Sequence, residues 1–297
     1  MKNFFHILKS YLALTKPKII VLVLFTSLTG MSLADMFWDL KNTLIAFFAI
    51  ALGSGGSACI NMWYDKDIDK LMLRTKNRPL VKAVIKPLNA LLFGIFLSCL
   101  SIILMYMFIN VLSSFLMIIA IIYYAVIYTM ILKRYSVYNV VFGGVPGAMP
   151  PVIGFSAVSG KIGLESIILF FIIFFWSPFH SWALIIFRLK DYAKSNLPIL
   201  PLVSGLKRTI TEILLYVFLT IIVSYLPYFF NFADHIYLFL ITILNIWLIY
   251  YSYKLRLEEK NHIQNAKTLF LFSTIYLFFL FFIIFLQNVF VFYKVYT

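Results

Sequence analysis

The chain has 297 residues, 63% of them hydrophobic and 19% aromatic, and only 12% charged, against roughly 25% charged in a soluble domain. That balance excludes a soluble enzyme, and apolar runs of about 20 residues recur over the whole length, so 1–297 reads as a single integral membrane domain. The net charge of +14 is accounted for by topology and anionic lipid headgroups; membrane lipid is an expected partner and no nucleic acid is needed.

Taken in chain order, residues 1–17 form a basic segment with neither a signal-peptide nor a transit-peptide pattern. They are expected to be retained as an amphipathic helix on the cytoplasmic membrane surface. Nine spans follow, at about 18–36, 43–63, 88–109, 111–132, 138–158, 163–187, 209–230, 235–253 and 268–292. With a cytoplasmic N-terminus and an outside C-terminus, 22 of the 25 Lys and Arg fall in inside segments. Lys41, Lys161 and Lys294 remain outside, as the positive-inside rule demands. The fold class is therefore all-α, a bundle of nine transmembrane helices. Cys59 and Cys99 sit in apolar stretches without metal-ligand spacing and read as small hydrophobes.

Two cytoplasmic loops, 64–87 and 188–208, carry Asp65, Asp67, Asp69 and Asp191. Their separation of about 125 residues suggests a duplicated four-helix unit with the site between the copies. At about 100° per residue, Asn61, Asp65 and Asp69 share one helix face and Asp67 points away. Two carboxylates at i,i+4 repel unless a cation lies between them, and an amide with two carboxylates suits Mg²⁺, which shares its shell with substrate phosphates. Lys70, Arg74, Lys76 and Arg78 follow, and guanidinium forks match phosphate oxygens. The loop thus reads as a metal–diphosphate clamp, although basic residues beside helix ends also serve as topology signals and mixed charges as solvated faces.

The segment NMWYDKDIDKLMLRTKNRPL, residues 61–80, resembles the first aspartate-rich motif of the UbiA superfamily of intramembrane prenyltransferases. YLALTKPKI at 11–19, YNVVFGGVPGAMPPVIG at 138–154 and WSPFHSWALIIFRLKDYAKSNLPILPLV at 176–203 resemble its haem branch. The resemblance implies a nine-helix bundle whose cytoplasmic loops cap the cavity. It also implies transfer of farnesyl from farnesyl diphosphate to the 2-vinyl group of haem B, with water adding and diphosphate leaving, to give haem O. It assigns the metal to Asn61, Asp65 and Asp69, catalysis to these three with Asp191 of the second acidic motif, and diphosphate to Arg74 and Arg78. Lys70, Lys190 and Lys194 join the diphosphate-binding candidates. Two departures stand out: Pro178-Phe179-His180-Ser181 replaces the usual Pro-Pro-His-Phe or Leu-Pro-His-Phe, and the second motif holds one aspartate flanked by Lys190 and Lys194.

On the acceptor side the candidates are His180, an ionisable residue within a span and a suitable partner for an iron porphyrin, together with Asn139 and Tyr192. His180 also reads as a packed, hydrogen-bonded histidine. Tyr64, Trp63 and Trp182 are further aromatics near the motifs. GGVPGAMPP, residues 143–151, is expected to kink its helix and shape the pocket. The absence of a transit-peptide pattern favours a prokaryotic inner membrane over a mitochondrial one, and haem A synthase or a terminal oxidase is a candidate partner. A transporter for a divalent cation or anionic solute, prenylation of an aromatic quinone precursor and a haem-delivering assembly factor remain as alternatives.

Overall fold

The computed structural model of the protein describes residues 2–34 and 39–296. Ten long helices account for most of them: α1 Lys2–Leu14, α2 Pro17–Ser32, α3 Leu40–Tyr64, α4 Pro87–Phe108 and α5 Val111–Tyr135, then α6 Asn139–Ser159, α7 Leu164–Phe187, α8 Gly205–Phe229, α9 His235–Leu257 and α10 His262–Tyr296. No strand occurs among the described residues. Eight of these helices are individually long and apolar enough to cross a bilayer, and α1 with α2, bent by 49°, meet the same measure as a pair, which makes up to nine crossings among the described residues. The expected spans coincide with α2–α10, most ends agreeing within a few residues; Asp35 and Met36, the end of the first expected span, lie outside the described residues.

The helix starts follow local chemistry. Pro17 and Pro87 occupy first-turn positions where a missing N–H costs nothing. Asn110 and Asp234 cap α5 and α9 by accepting the N–H groups of Ser113, and of Ile236 and Tyr237. Lys16, in the break before α2, has φ of 55°, a left-handed conformation that a lysine before proline adopts only when its surroundings hold it there.

Close helix approaches fix the site-bearing half. A Cβ on Gly154 would lie 2.1 Å from the Ser27 carbonyl oxygen, and one on Gly30 equally close to that of Pro151, so α2 and α6 pack backbone to backbone. α6 runs as one unbroken helix through Pro146, Pro150 and Pro151. In the other half, Tyr276 donates to Asn245 (2.8 Å), Asn245 to Ser224 Oγ (3.0 Å) and Tyr237 to the Ser224 carbonyl (2.6 Å). This buried network ties α8, α9 and α10 together. Within α5, residues 123–132 widen into a π-helix, a form that recurs at functional sites.

Candidate active site

The acidic segment keeps helical spacing across the junction where α3 ends and a short helix, Lys66–Leu71, begins. The Asp65 N–H donates to the Asn61 carbonyl and the Asp69 N–H to that of Asp65, both at 2.9 Å. Asn61, Asp65 and Asp69 therefore share one face, as their spacing predicts, and all three are buried. Asp67 points outward and pairs with Arg134 at 2.8 Å. The Arg134 guanidinium, hydrogen-bonded to it, holds the Asp67 carboxyl below the usual carboxylate range.

A polar pocket of about 690 Å³ gathers Asn61, Asp65, Asp69, Arg74, Arg78, Tyr192, Lys16, Lys133, Tyr124 and Tyr128. Lys133 forms an ion pair with Asp65 Oδ2, which also accepts from Asn61 Nδ2 (2.9 Å). Asp65 Oδ1 is buried without a hydrogen-bond partner. Arg78 Nη1 lies 2.5 Å from Asp69 Oδ2. Asn61 is held at both ends of its amide: Nδ2 also donates to Thr129 Oγ1 (3.0 Å), and Oδ1 accepts from Lys16 Nζ (2.7 Å). The π-helical turn makes this possible, since Thr129 bonds back to the Tyr124 carbonyl five residues earlier (2.7 Å) while facing α3. Lys16 has only neutral hydrogen-bond partners, Asn61 and the Tyr124 hydroxyl at 3.3 Å.

A second, apolar cleft of about 770 Å³ runs between α2, α3, α5 and α6. Ile20, Val23, Ile50, Met117, Ile121 and Ile153 line it, together with Gly143, Pro146, Gly147 and Pro150 of the Gly/Pro segment. Lys16, Ile19 and Tyr124 line both spaces. The two spaces are thus adjacent, a charged one and an oily one sharing a wall of three side chains.

Several expected residues stand elsewhere. Lys70, Lys190 and Lys194 are exposed and do not line the polar pocket. Asp191 accepts backbone N–H groups from Leu73 (2.6 Å) and Arg74 (3.3 Å). Asn139 donates to the Ser136 and Pro198 carbonyls, joining two loops. His180 lines neither cavity; its Nδ1 lies 2.7 Å from Ser273 Oγ, an α7–α10 contact, and its ring stacks at 4.1 Å on Trp176 of its own helix. Trp182 packs on Tyr216 in the core. Sequence reasoning missed Lys16, Lys133, Tyr124, Tyr128 and Thr129. Their only signals were Lys16 inside the YLALTKPKI stretch and the Lys133–Arg134 pair.

Comparison with known proteins places this geometry. Residues 23–275 match the UbiA prenyltransferase family. The protoheme IX farnesyltransferase of Rickettsia canadensis is 44% identical over 94% of this chain and 91% of its own length. That of Rickettsia massiliae is 46% identical over 94% and 92%. In fold, the chain resembles a structure from work on digeranylgeranylglyceryl phosphate synthase with a TM-score of 0.80, at 24% identity and covering 97% of this chain and 99% of that one. A UbiA homologue from Archaeoglobus fulgidus, bound to DMAPP and Mg²⁺, gives 0.64 at 21% identity, covering 93% and 99%. The chain belongs to the UbiA prenyltransferase family.

Proposed function

We propose that the protein is an intramembrane prenyltransferase that transfers farnesyl from farnesyl diphosphate to the 2-vinyl group of haem B: the terminal vinyl carbon forms the new C–C bond as diphosphate leaves, and water adds, with loss of a proton, at the carbon next to the porphyrin ring, giving haem O and diphosphate. The observation that carries the reaction type is the charged pocket lying next to an apolar cleft, with Lys16, Ile19 and Tyr124 lining both, which matches an allylic diphosphate head and tail. The acceptor is inferred from the relatives' name and from the haem-branch motifs.

Two carboxylates facing a pocket, one with a buried, unpartnered oxygen, fit a divalent cation of the Mg²⁺ type. Asp65 and Asp69 would hold it, and Asn61 joins them only when Lys16 leaves its Oδ1. Mg²⁺ bound there supplies a Lewis acid that withdraws charge from the diphosphate. Lys133 and Arg78, which neutralise the two carboxylates in the substrate-free protein, turn to phosphate oxygens beside Arg74 and Lys16. Scission of the allylic C–O bond builds negative charge on the diphosphate, which these preorganised cations stabilise. The prenyl carbon becomes cationic at the junction of the two spaces, where the stacked rings of Tyr124 and Tyr128, 5.8 Å apart, offer their faces. The apolar cleft keeps water from that cation. The acidic loops are taken to face the cytoplasm of a bacterial inner membrane, with haem A synthase or a terminal oxidase as the downstream partner.

The test is to incubate purified protein with haem B, farnesyl diphosphate and Mg²⁺, and to follow the porphyrin by mass spectrometry beside an Asp65→Asn/Asp69→Asn variant. A hydroxyfarnesyl haem from wild type alone, abolished by EDTA, is expected. Prenylation of a quinone precursor instead would move the protein to a sister branch; no product with any acceptor would favour the transporter.

A further inference from the structure

The second acidic loop does not deliver its carboxylate to the pocket. Asp191 Oδ1 accepts the Leu73 N–H at 2.6 Å and Oδ2 the Arg74 N–H at 3.3 Å. Two successive amides meeting one carboxylate make the kind of backbone concavity that binds anions, here filled by the protein itself. On the other side of Arg74, buried Thr75 donates from Oγ1 to the Asp69 carbonyl at 2.9 Å, and its own carbonyl accepts the Arg78 N–H at 2.9 Å. Arg74 therefore sits between two anchors, one tied to the metal-site carboxylate's backbone and one tied to the loop after α7. Tyr192, next to Asp191, lines the polar pocket together with Arg74, so the same latch sets both walls.

We propose that Asp191 is a positioning residue, not a metal ligand: it latches the 188–195 loop onto the Leu73–Arg74 backbone and thereby holds the Arg74 guanidinium over the diphosphate site. A carboxylate suits the task because both oxygens accept and each bond is charge-assisted. An amide keeps only one acceptor oxygen. The single aspartate of this motif is then sufficient, since a latch needs one carboxylate where a metal cage needs several. This inference rests on the clamp reading given above.

The experiment measures Mn²⁺ binding by electron paramagnetic resonance in the presence of inorganic diphosphate, the KM for farnesyl diphosphate, and amide exchange at residues 73 and 74. The proteins are wild type, Asp65→Asn, Asp191→Ala, Asp191→Asn, Arg74→Ala and Arg74→Ala/Asp191→Ala; Asp191→Asn is included because its isosteric side chain is the safer folder. The Asp191 variants are expected to keep Mn²⁺ affinity within about twofold, to raise KM about tenfold, and to lose amide protection at Leu73 and Arg74. In the Arg74→Ala background, removing Asp191 should change KM by less than about twofold, because its effect passes through Arg74. Tenfold weaker Mn²⁺ binding in the Asp191 variants, unchanged amide exchange, or additive effects in the double variant would overturn the latch. If wild type bound no Mn²⁺, or Asp65→Asn bound it unchanged, the clamp reading itself would fall, and the latch with it.

Discussion

Gly147 offers the most direct probe of where the prenyl tail lies. It lines the apolar cleft, and a Cβ built on it meets no atom within 4 Å, so a larger side chain grows into open space instead of into a neighbour. Gly147→Leu should fold, because leucine in a helix interior is favoured over glycine by up to about 1 kcal/mol. Its branched end takes the room of roughly four methylene groups of substrate. At about 0.8 kcal/mol for each buried methylene, expelling that length of tail costs about 3 kcal/mol, on the order of a hundredfold in kcat/KM. Farnesyl diphosphate should suffer this loss, while geranyl diphosphate, one isoprene unit shorter, should be nearly spared. Steady-state kinetics with both donors and haem B, read by mass spectrometry, give the ratio. Equal losses for the two donors would show that the tail does not occupy this cleft, and the head-and-tail account of the site would have to be abandoned.

Gly143 tests the neighbouring wall: a Cβ there would come within 2.6 Å of the Tyr128 ring, so Gly143→Ala should displace Tyr128 and lower kcat about tenfold without harming diphosphate binding; an unchanged kcat would acquit Tyr128. Lys133→Met strands the buried Asp65 carboxylate and should cost about 3 kcal/mol, seen as a metal-free melting point lower by about 5 to 10 °C, with most of it recovered in the Lys133→Met/Asp65→Asn double variant; a wild-type melting point would contradict the ion pair. Asp67→Ala removes a pair whose carboxylate side chain is 62% exposed, so stability should change by less than about 1 kcal/mol and turnover by less than threefold; a loss like that of Asp65→Asn would erase the distinction between the two faces of the segment. Because Lys133 and Arg78 compete for the carboxylates, Mn²⁺ alone should bind at least about tenfold more weakly than Mn²⁺ with diphosphate, and equal affinities in a titration would rule out the exchange of partners.

The spans were legible because two independent signals agreed, apolar length and the partition of Lys and Arg. The shared face of Asn61, Asp65 and Asp69 was legible because helical geometry persists through the α3 junction. The π-helical turn was not: one side chain more per turn leaves no mark in a segment that is apolar on every side. Lys16 and Lys133 were hidden for a different reason. Every cation at a cytoplasmic helix end satisfies the topology rule, and what separates these two from Lys70 or Lys190 is a partner 45 or 68 residues away in the chain. Asp191 and His180 show the converse. Their motifs suggested a catalytic carboxylate and an acceptor-side imidazole, and only the fold reveals that their hydrogen-bond partners are backbone amides and a serine hydroxyl.

Burying two carboxylates four residues apart is costly unless positive charge accompanies them. The protein meets that cost with Lys133 and Arg78, one for each carboxylate, and adds Lys16 and Arg74, which have no ion-pair carboxylate among the described residues. The pocket is therefore positive before any substrate enters, and a site that only captured a cation would not be built this way. A polyanion that brings its own divalent cation resolves the arrangement: the cation satisfies Asp65 and Asp69, and the freed side chains, with Lys16 and Arg74, find phosphate oxygens, so the surplus positive charge is matched once substrate is bound. The apolar cleft on the far side of Lys16 and Tyr124 adds that the polyanion must be the head of a long hydrocarbon. Together these requirements describe a prenyl diphosphate more closely than any solute a transporter of the same composition would carry.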